Sequence, residues 1–207
     1  MDHDDFAVEP IPGLPGTPPK GEVILWQGRP AVLPLARQSM ALDWVIGYFA
    51  ALAVLRVVAS AGAMGLAGAL PLAIPFLALG ALVAGLIVLI AWVQAKATVY
   101  TITTERVAMR IGAALSITLN LPFPKISSAD LDLRHDGTGT ISLVTLGPAK
   151  LSYLVLWPHV RPWRMARTEP SLRAIPDAER VAALLSDAAY TRVNQPVLSR
   201  ATAIAAE

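Results

Sequence analysis

Two long apolar runs dominate the hydrophobic pattern in the first half of the chain. Residues 40 to about 65 are apolar except for Asp43 and Arg56, and residues 66 to 94 carry no charged side chain. Each run exceeds the roughly 20 residues that an α-helix needs to cross the hydrocarbon core of a bilayer. The pattern therefore predicts a two-helix transmembrane hairpin over residues 40–95.

The positions of basic residues predict the orientation of this hairpin. The short link between the two runs, within SAGAMGLAG, has no Lys or Arg, whereas the flanking segments carry Arg29, Arg37, Lys96, Arg106 and Arg110. Basic residues close to membrane helices tend to stay in the cytoplasm. We therefore expect a multi-pass membrane protein with both termini in the cytoplasm.

Within the predicted domain at 96–190, residues 98–157 change to the two-residue alternation that is typical of half-buried β-strands. Apolar side chains at 107, 109 and 111, at 117, 119 and 121, and at 131 and 133 alternate with polar or small ones. Turn signals separate these segments, among them Gly112-Ala113 and HDGTG at 135–139. The pattern predicts an antiparallel sheet of about six or seven short strands.

An amphipathic helix is predicted near the end of this segment, in PDAERVAALLSDAAY. Val181, Leu184, Leu185 and Ala188 fall on one helical stripe, and acidic residues occupy the first turn, where the helix dipole favours them. Such a helix can cover the apolar face of an open sheet. The predicted fold class is an α+β membrane protein, with a two-helix transmembrane hairpin and a cytoplasmic antiparallel β domain closed by a C-terminal amphipathic helix.

The two ends of the chain lack such periodicity. Residues 1–39 contain the proline- and glycine-rich stretch EPIPGLPGTPP and are predicted to form an extended cytoplasmic arm, with a short strand-like piece from Val23 to Trp26. Residues 191–207 show weak patterning and are predicted to be a flexible tail. The predicted β domain occupies the segment between the hairpin and this tail.

Composition narrows the range of functions. Hydrophobic residues make up 55% of the 207 residues and charged residues only 15%, against about 25% in typical soluble proteins. At most one modest soluble domain therefore remains outside the membrane. Cysteine is absent, which removes disulfides and thiol chemistry. The net charge of +2 is too balanced to indicate nucleic-acid binding.

Motifs for catalysis or for binding a cofactor are absent from the sequence. It contains no Walker-type loop, no G-x-S-x-G and no H-E-x-x-H motif. The three histidines, His3, His135 and His159, are far apart in the chain, and we expect them to be surface residues rather than metal ligands. We therefore expect a protein that is not an enzyme and holds no cofactor.

The richest candidate binding segment is LWPHVRPWRMAR at 156–167. It combines aromatic and basic side chains with two prolines: Trp157, His159, Arg161, Trp163, Arg164 and Arg167. Trp and Arg are enriched in binding hot spots, and stiff loops lose less entropy on docking. The same side chains also suit packing under the sheet or contact with anionic lipid. The sequence leaves both interpretations open.

Four further residues are weaker candidates. Trp26 and Arg29 in ILWQGRP form another Trp/Arg pair, although packing of Trp26 into a core is the simpler interpretation. Arg56 lies past the centre of the first apolar run, where a charge is costly. Its side chain either reaches the far membrane interface or contacts a polar group of another membrane helix. Asp43 lies close to the cytoplasmic end and is interpreted as interfacial.

Several stretches resemble known families. YTITTERVAMRIG, ITLNLPFPKISSADL and DGTGTISL resemble bacterial pleckstrin-homology domains of the membrane-anchored kind, over residues 98–190. With ILWQGRP, YLVLWPHVRPWR and EPSLRAIPDAERVAALL included, nearly the whole chain resembles the PuhB family of photosynthetic complex assembly proteins from purple phototrophic bacteria. This resemblance implies a protein of the cytoplasmic or intracytoplasmic membrane that helps to assemble the reaction centre and its core antenna, light-harvesting complex 1.

Three functional hypotheses follow. The first is a non-enzymatic assembly factor that binds partially assembled reaction-centre subunits, with core antenna polypeptides as further clients. The second is a membrane-surface module that binds or senses lipid through Arg161, Arg164 and Arg167. The third is an integral accessory subunit of the mature photosynthetic complex. A homo-oligomer is compatible with each, because a helix pair and a sheet edge both offer symmetric surfaces.

Overall fold

A computed structural model of the chain describes residues 11–14, 16–112, 116–147 and 151–194. Its helices are α1 (Val32–Ser39), α2 (Leu42–Ala69), α3 (Ile74–Ala97), α4 (Tyr153–Leu156) and α5 (Ala178–Asn194). Its strands are β1 (Ile24–Gly28), β2 (Val99–Thr103), β3 (Arg106–Ile111), β4 (Ile117–Pro122), β5 (Ile126–Leu133), β6 (Gly139–Thr145) and β7 (Ser171–Ile175). The α+β fold class is as predicted.

The strands form two antiparallel sheets. One sheet has the order β1-β2-β3-β4 and the other the order β5-β6-β7. Three of the strands in the described residues, β3, β4 and β5, fall where the two-residue alternation predicted strands, and β1 overlaps the strand-like piece predicted from Val23 to Trp26. The main core lies between the two sheets and α5, and includes Tyr100, Met109, Phe123, Leu143 and Leu185.

Helix α5 covers this core with the stripe that its sequence predicted. Val181, Leu185 and Ala188 are buried, and Leu184 is partly buried against the same core. The acidic Glu179 lies in the exposed first turn. The C-terminal amphipathic helix therefore closes the β domain, whereas most of the predicted flexible tail, from residue 195 onwards, lies outside the described residues.

The predicted extended arm differs from the structure, because much of it belongs to the folded domain. Strand β1 pairs with β2, so that Gln27 lies opposite Thr101. The residues that follow β1 form α1 rather than extended chain. Pro34 lies in the first turn of α1, where the proline's missing N–H breaks no intrahelical bond. The β domain is thus discontinuous in sequence, with both long helices inserted between its first two strands.

The segment from α2 to α3 reverses direction at a break in the helix. Gly65 has a φ of +72°, a conformation that glycine adopts without steric cost. Phe49 lies against the backbone of Gly80, and Leu42 belongs to the same apolar cluster as Ala91. The segments before and after Gly65 therefore run antiparallel and in contact.

The long helices leave most of their apolar surface uncovered. By length and composition, the helical stretch Leu42–Ala97 is apolar enough to cross a membrane, and only 11% of its most apolar window is buried inside the protein. Arg56 is exposed on the side of α2, among aliphatic residues that are also exposed. Asp43 lies in the first turn of α2 and forms an ion pair with Arg37 at 3.4 Å.

Helix α1 connects the long helices to the β domain. Leu35, on one side of α1, packs with Ala95 of α3 and Ala174 of β7. The backbone N–H of Ala31, just before α1, donates a hydrogen bond of 2.8 Å to the carbonyl oxygen of Ala174. Helix α1 is therefore held between α3 and the edge strand β7.

A buried arginine completes this connection. The guanidinium of Arg173, on β7, donates hydrogen bonds to the carbonyl oxygen of Gln38 at 2.8 Å and to the hydroxyl of Ser39 at 3.0 Å. The last carbonyl groups of a helix lack intrahelical partners and carry the negative end of the helix dipole. Arg173 thus caps the C-terminal end of α1 from the sheet.

We expect Arg173→Ala to lower the free energy of unfolding by about 2 kcal/mol, because hydrogen bonds from a charged donor to the end of α1 are lost. Arg180→Ala is the matched control, since Arg180 is exposed on α5. Its effect should stay below about 0.5 kcal/mol. Urea unfolding in mild detergent, followed by circular dichroism, would measure both variants, and equal stability of the two would contradict the capping role.

Candidate functional site

The Trp/Arg segment, residues 157–167, lies on the surface beside the start of α2. Trp157, Trp163 and Met165 line a cavity of about 490 Å³ together with Trp44, which lies in the first turn of α2. Trp163 is 88% exposed and Trp44 83% exposed. These four side chains therefore form one surface, which we call the Trp surface.

The part of the segment that carries Trp163 is held at its base. Val160 forms a β-bridge with Pro170, and the backbone N–H of Arg161 donates a 2.9 Å hydrogen bond to the carbonyl oxygen of Glu169. Trp163 itself has a φ of +63°, which is uncommon for a residue other than glycine. The residues between these anchors project as a closed loop, with Trp163 exposed on it.

Basic side chains lie in the Trp surface and beside it, because Arg164 and Arg167 line a second cavity that shares Met165 with the first. Arg37, which lines the same cavity, is exposed, as are Arg164 and Arg167. Arg164 approaches the carboxylate of Glu169 at 3.8 Å. These exposed cations could meet an acidic polypeptide or an anionic headgroup next to the aromatic rings.

Arg161 has a different role from the other arginines of the segment. It forms ion pairs with Asp130 at 2.7 Å and with Glu169 at 3.1 Å. Hydrogen bonds to these two carboxylates raise the pKa of Arg161 above its usual value. Its charge is therefore matched within the β domain, and it ties the segment to β5.

His159 lies inside the protein, and our expectation of a surface histidine is wrong for this residue. Only 1% of its surface is exposed. Its Nδ1 lies 2.6 Å from the hydroxyl of Tyr100, and its Nε2 lies 3.1 Å from the hydroxyl of Thr98. His135 is exposed, as expected, and His3 lies outside the described residues. His159 thus anchors the Trp/Arg segment to the start of β2, directly after α3.

The hydrogen bonds around His159 indicate its protonation state. The backbone N–H of Arg173 donates to the Tyr100 oxygen at 3.2 Å. The Tyr100 hydroxyl, which accepts from this N–H, is then free to donate to Nδ1, and Nε2–H donates to the Thr98 hydroxyl. Burial, assisted by the nearby charge of Arg173, lowers the pKa of His159 to about 3. Burial also raises the pKa of Tyr100, so both rings stay neutral at physiological pH.

The remaining candidates lie away from the Trp surface. Trp26 is partly buried against the main core, and Arg29 is exposed just after β1. Arg56 lies far along α2, and Asp43 lies next to Trp44 at its start. Within the described ranges, no group of three or more His, Asp or Glu side chains is arranged to hold a metal ion.

Three residues of this region were not predicted from the sequence. Trp44 could have been noticed, because Trp at the start of an apolar helix is typical of a membrane interface. Tyr100 and Arg173 gave no such signal. Their importance depends on contacts between segments that are 59 and 134 residues apart in the chain.

The two sheets and the closing helix define a pleckstrin-homology type of β domain into which two long apolar helices are inserted. The chain belongs to the bacterial PH domain family, whose model matches residues 44–189. The predicted resemblance to this family is confirmed. No solved structure matches the chain significantly.

A curated relative agrees with the resemblance to the PuhB family. It is 44% identical over 198 residues, covering 95% of this chain and 92% of the relative. This Rhodobacter capsulatus protein is named as an uncharacterized 23.7 kDa protein in the puhA 5′ region. The similarity therefore extends over the arm, the long helices and the β domain together.

The buried histidine predicts a pH dependence of stability. Because the pKa of His159 falls from 6.5 in the unfolded chain to about 3 in the folded protein, the unfolded state binds a proton first as pH falls below 6.5. Stability is therefore present above this pH and is lost progressively towards pH 3. We expect His159 to account for a loss of about 2 kcal/mol between pH 7.5 and pH 5.

Thermal unfolding across this pH range would test the prediction. His159→Gln should reduce the loss of stability on acidification, whereas His135→Gln should leave it unchanged because His135 is exposed. The same pH dependence in wild type and His159→Gln would show that another group is responsible.

Proposed function

We propose that this chain is a non-enzymatic assembly factor for the photosynthetic reaction centre and its core antenna in purple bacteria. Membership of the bacterial PH domain family, the puhA-region name of its relative and the PuhB resemblance support this context. The observation that carries the proposal is the exposed Trp surface, which lies where the β domain meets the apolar helices.

In this proposal, α2 and α3 cross the cytoplasmic or intracytoplasmic membrane as a hairpin. Their uncovered apolar surface and the break at Gly65 suit two crossings. Trp44 lies near the start of α2, and Trp92, with Lys96 5.3 Å from its ring centre, lies near the end of α3. Trp and Lys favour the interface between lipid and water. The β domain and both termini then lie in the cytoplasm.

The absence of native cysteine allows a clean test of this topology. We expect a cysteine in Ala67→Cys, close to the break at Gly65, to react with a membrane-impermeant maleimide added to intact spheroplasts. The control Ser128→Cys places the thiol on exposed β5 and should react only after lysis. Labelling of Ser128→Cys in intact spheroplasts would contradict a cytoplasmic β domain.

The Trp surface suits a client that is itself a membrane protein. A client helix could pack against α2 and α3 while the polypeptide just outside its membrane segment contacts Trp44 and Trp163. Aromatic rings and arginines that lose their water on docking supply most of the energy in such interfaces. Bound in this way, the factor covers helix surfaces of a half-assembled complex until their final neighbours arrive.

Arg56 adds a second contact in this scheme. A charged side chain on the outer face of an apolar helix is costly in lipid and usually pairs or reaches the interface. No carboxylate among the described residues forms an ion pair with Arg56. A polar or acidic group on a client helix, or on a second copy of this chain, would satisfy it.

A pull-down from phototrophically grown cells would test the docking role. We expect tagged wild type, extracted in mild detergent, to recover substoichiometric reaction-centre polypeptides enriched in incomplete particles. Trp163→Ala combined with Arg164→Ala should reduce this recovery about tenfold or more, because both side chains are hot-spot types on the exposed loop. The control pair Val23→Ala and Arg180→Ala removes exposed side chains elsewhere and should not.

Other outcomes of this experiment would favour the other hypotheses. Equal recovery by both double variants would reject the loop as the docking site. Recovery at fixed stoichiometry with mature particles would favour an integral accessory subunit. Mass spectrometry of the reaction-centre and antenna polypeptides separates these cases.

A membrane-surface lipid module is the second candidate, because Arg37 is exposed in the cavity of the Trp surface and because Arg164 and Arg167 are exposed on the same loop as Trp163. Each arginine near an anionic surface contributes about 1 kcal/mol, which salt screens. In nanodiscs of purely zwitterionic lipid at high salt, client capture that persists would favour protein docking. Loss of capture under these conditions, with retention in anionic lipid at low salt, would favour the lipid module.

A further inference from the structure

A groove between β5 and α5 lies apart from the Trp surface. Its volume is about 540 Å³. Apolar side chains from the core and from α5 form much of its lining, including Phe123, Leu143, Leu185, Ala189 and Val193. Residues 126–129, which follow one another along β5, all line it. Strand β5 lies at the edge of its sheet and has a β-bulge between Ile126 and Ser128, so consecutive residues at its start line one cavity.

This edge of β5 has no partner strand among the described residues. The backbone N–H of Leu143, on β6, donates to the carbonyl oxygen of Pro170, so Leu143 directs its backbone groups towards β7. Ala129 lies opposite Leu143 and therefore directs its own N–H and C=O away from β6. The same alternation applies to Leu131, two residues further along. The free edge thus presents two donors and two acceptors in the spacing of a β-ladder.

The side chains at these positions are also uncovered. Ala129 lies opposite Leu143 and Leu131 opposite Ile141, so both share the core-facing side of the sheet. Leu143 and Ile141 are fully buried, but Ala129 is exposed and Leu131 is 39% exposed. Within the part of the chain that the structure describes, the core therefore continues to the edge of β5 without a cover, and α5 forms the opposite wall of the groove.

We propose that this groove binds an extended segment of another polypeptide, which adds a strand to the edge of β5 and inserts alternate apolar side chains against α5. A polypeptide matches the site, because only an extended backbone offers hydrogen-bond donors and acceptors at the spacing of the free N–H and C=O groups of Ala129 and Leu131. Lipid tails or small apolar molecules would fill the groove and leave the edge unpaired. The proposal does not depend on the Trp surface or on the assembly role.

A proline substitution can test the strand addition directly. Ala129→Pro removes an N–H that points away from β6, so the internal ladder stays intact, as for prolines on natural edge strands. Ala129→Ser keeps the N–H and is the matched control. The probe is a phage-displayed library of random peptides of about twelve residues, selected against the full chain in nanodiscs. Fluorescence anisotropy then measures the affinity of an enriched peptide.

We expect the enriched peptides to carry apolar side chains at alternate positions. Ala129→Pro should weaken their binding at least about tenfold, and Ala129→Ser by less than about twofold. Equal binding to both variants would overturn the proposal. Circular dichroism would establish that Ala129→Pro is folded. As an independent variant, Val193→Glu places a charge in the groove at a residue that is 62% exposed, and should also abolish binding.

Two other occupants would also be detected. If a variant truncated after Asn194 bound peptides and the full-length chain did not, the chain's own last residues would fill the groove. That result would overturn the proposal. A wild-type dimer that Ala129→Pro dissociates would assign the edge to a second copy of the chain instead. Selection of no peptide by wild type or truncated protein would likewise reject a polypeptide site.

Discussion

The position of Arg173 determines how the helices and the loop are placed relative to one another. Its guanidinium caps α1, which leads directly into α2 and Trp44. Its backbone N–H binds the Tyr100 hydroxyl, which in turn binds His159 in the segment that carries Trp163. Arg173 therefore links the two parts of the Trp surface, Trp44 on α2 and Trp163 on the loop. The β domain, rather than a flexible connection, sets the distance between these two parts.

The polar groups in this connection are buried, which is costly unless each finds a partner. Thr98, Tyr100, His159 and Arg173 bind one another across three segments of the chain. Such a network adds little net stability compared with apolar packing, but it tolerates few alternative arrangements. The protein thus uses its buried polar groups where two long helices must be held at a defined position against a sheet.

The sequence predicts those parts of the fold that are set by local periodicity. The apolar runs, strands β3 to β5 and helix α5 each carry their own pattern, and each forms close to the expected place. The short helix α1 and the strand β7 lack that information, because their positions depend on packing against distant segments, whereas β1 overlaps the strand-like piece predicted from Val23 to Trp26. The alternation in β5 predicted correctly that its leucines lie on the core-facing side of the sheet. It did not indicate that Leu131 would stay partly exposed at the sheet edge.

In the candidate site, too, the sequence predicts some features and gives no indication of others. Trp157, Trp163, Arg164 and Arg167 are accessible on the surface, as a binding loop requires. The neighbouring His159 and Arg161 instead hold that loop in place, a difference that residue type alone does not indicate. Trp44 joins them only through the fold, since more than one hundred residues separate it from the loop.

The insertion of both long helices between β1 and β2 has a consequence for biogenesis. With two membrane crossings, as proposed, β1 is made first and waits on the cytoplasmic side until β2 emerges on the same side. If only one helix inserted, the two strands would lie on opposite sides of the bilayer and the four-stranded sheet would lack its first strand. Completion of the sheet therefore requires correct membrane insertion, and a chain with wrong topology would expose an unpaired β2 to proteolysis.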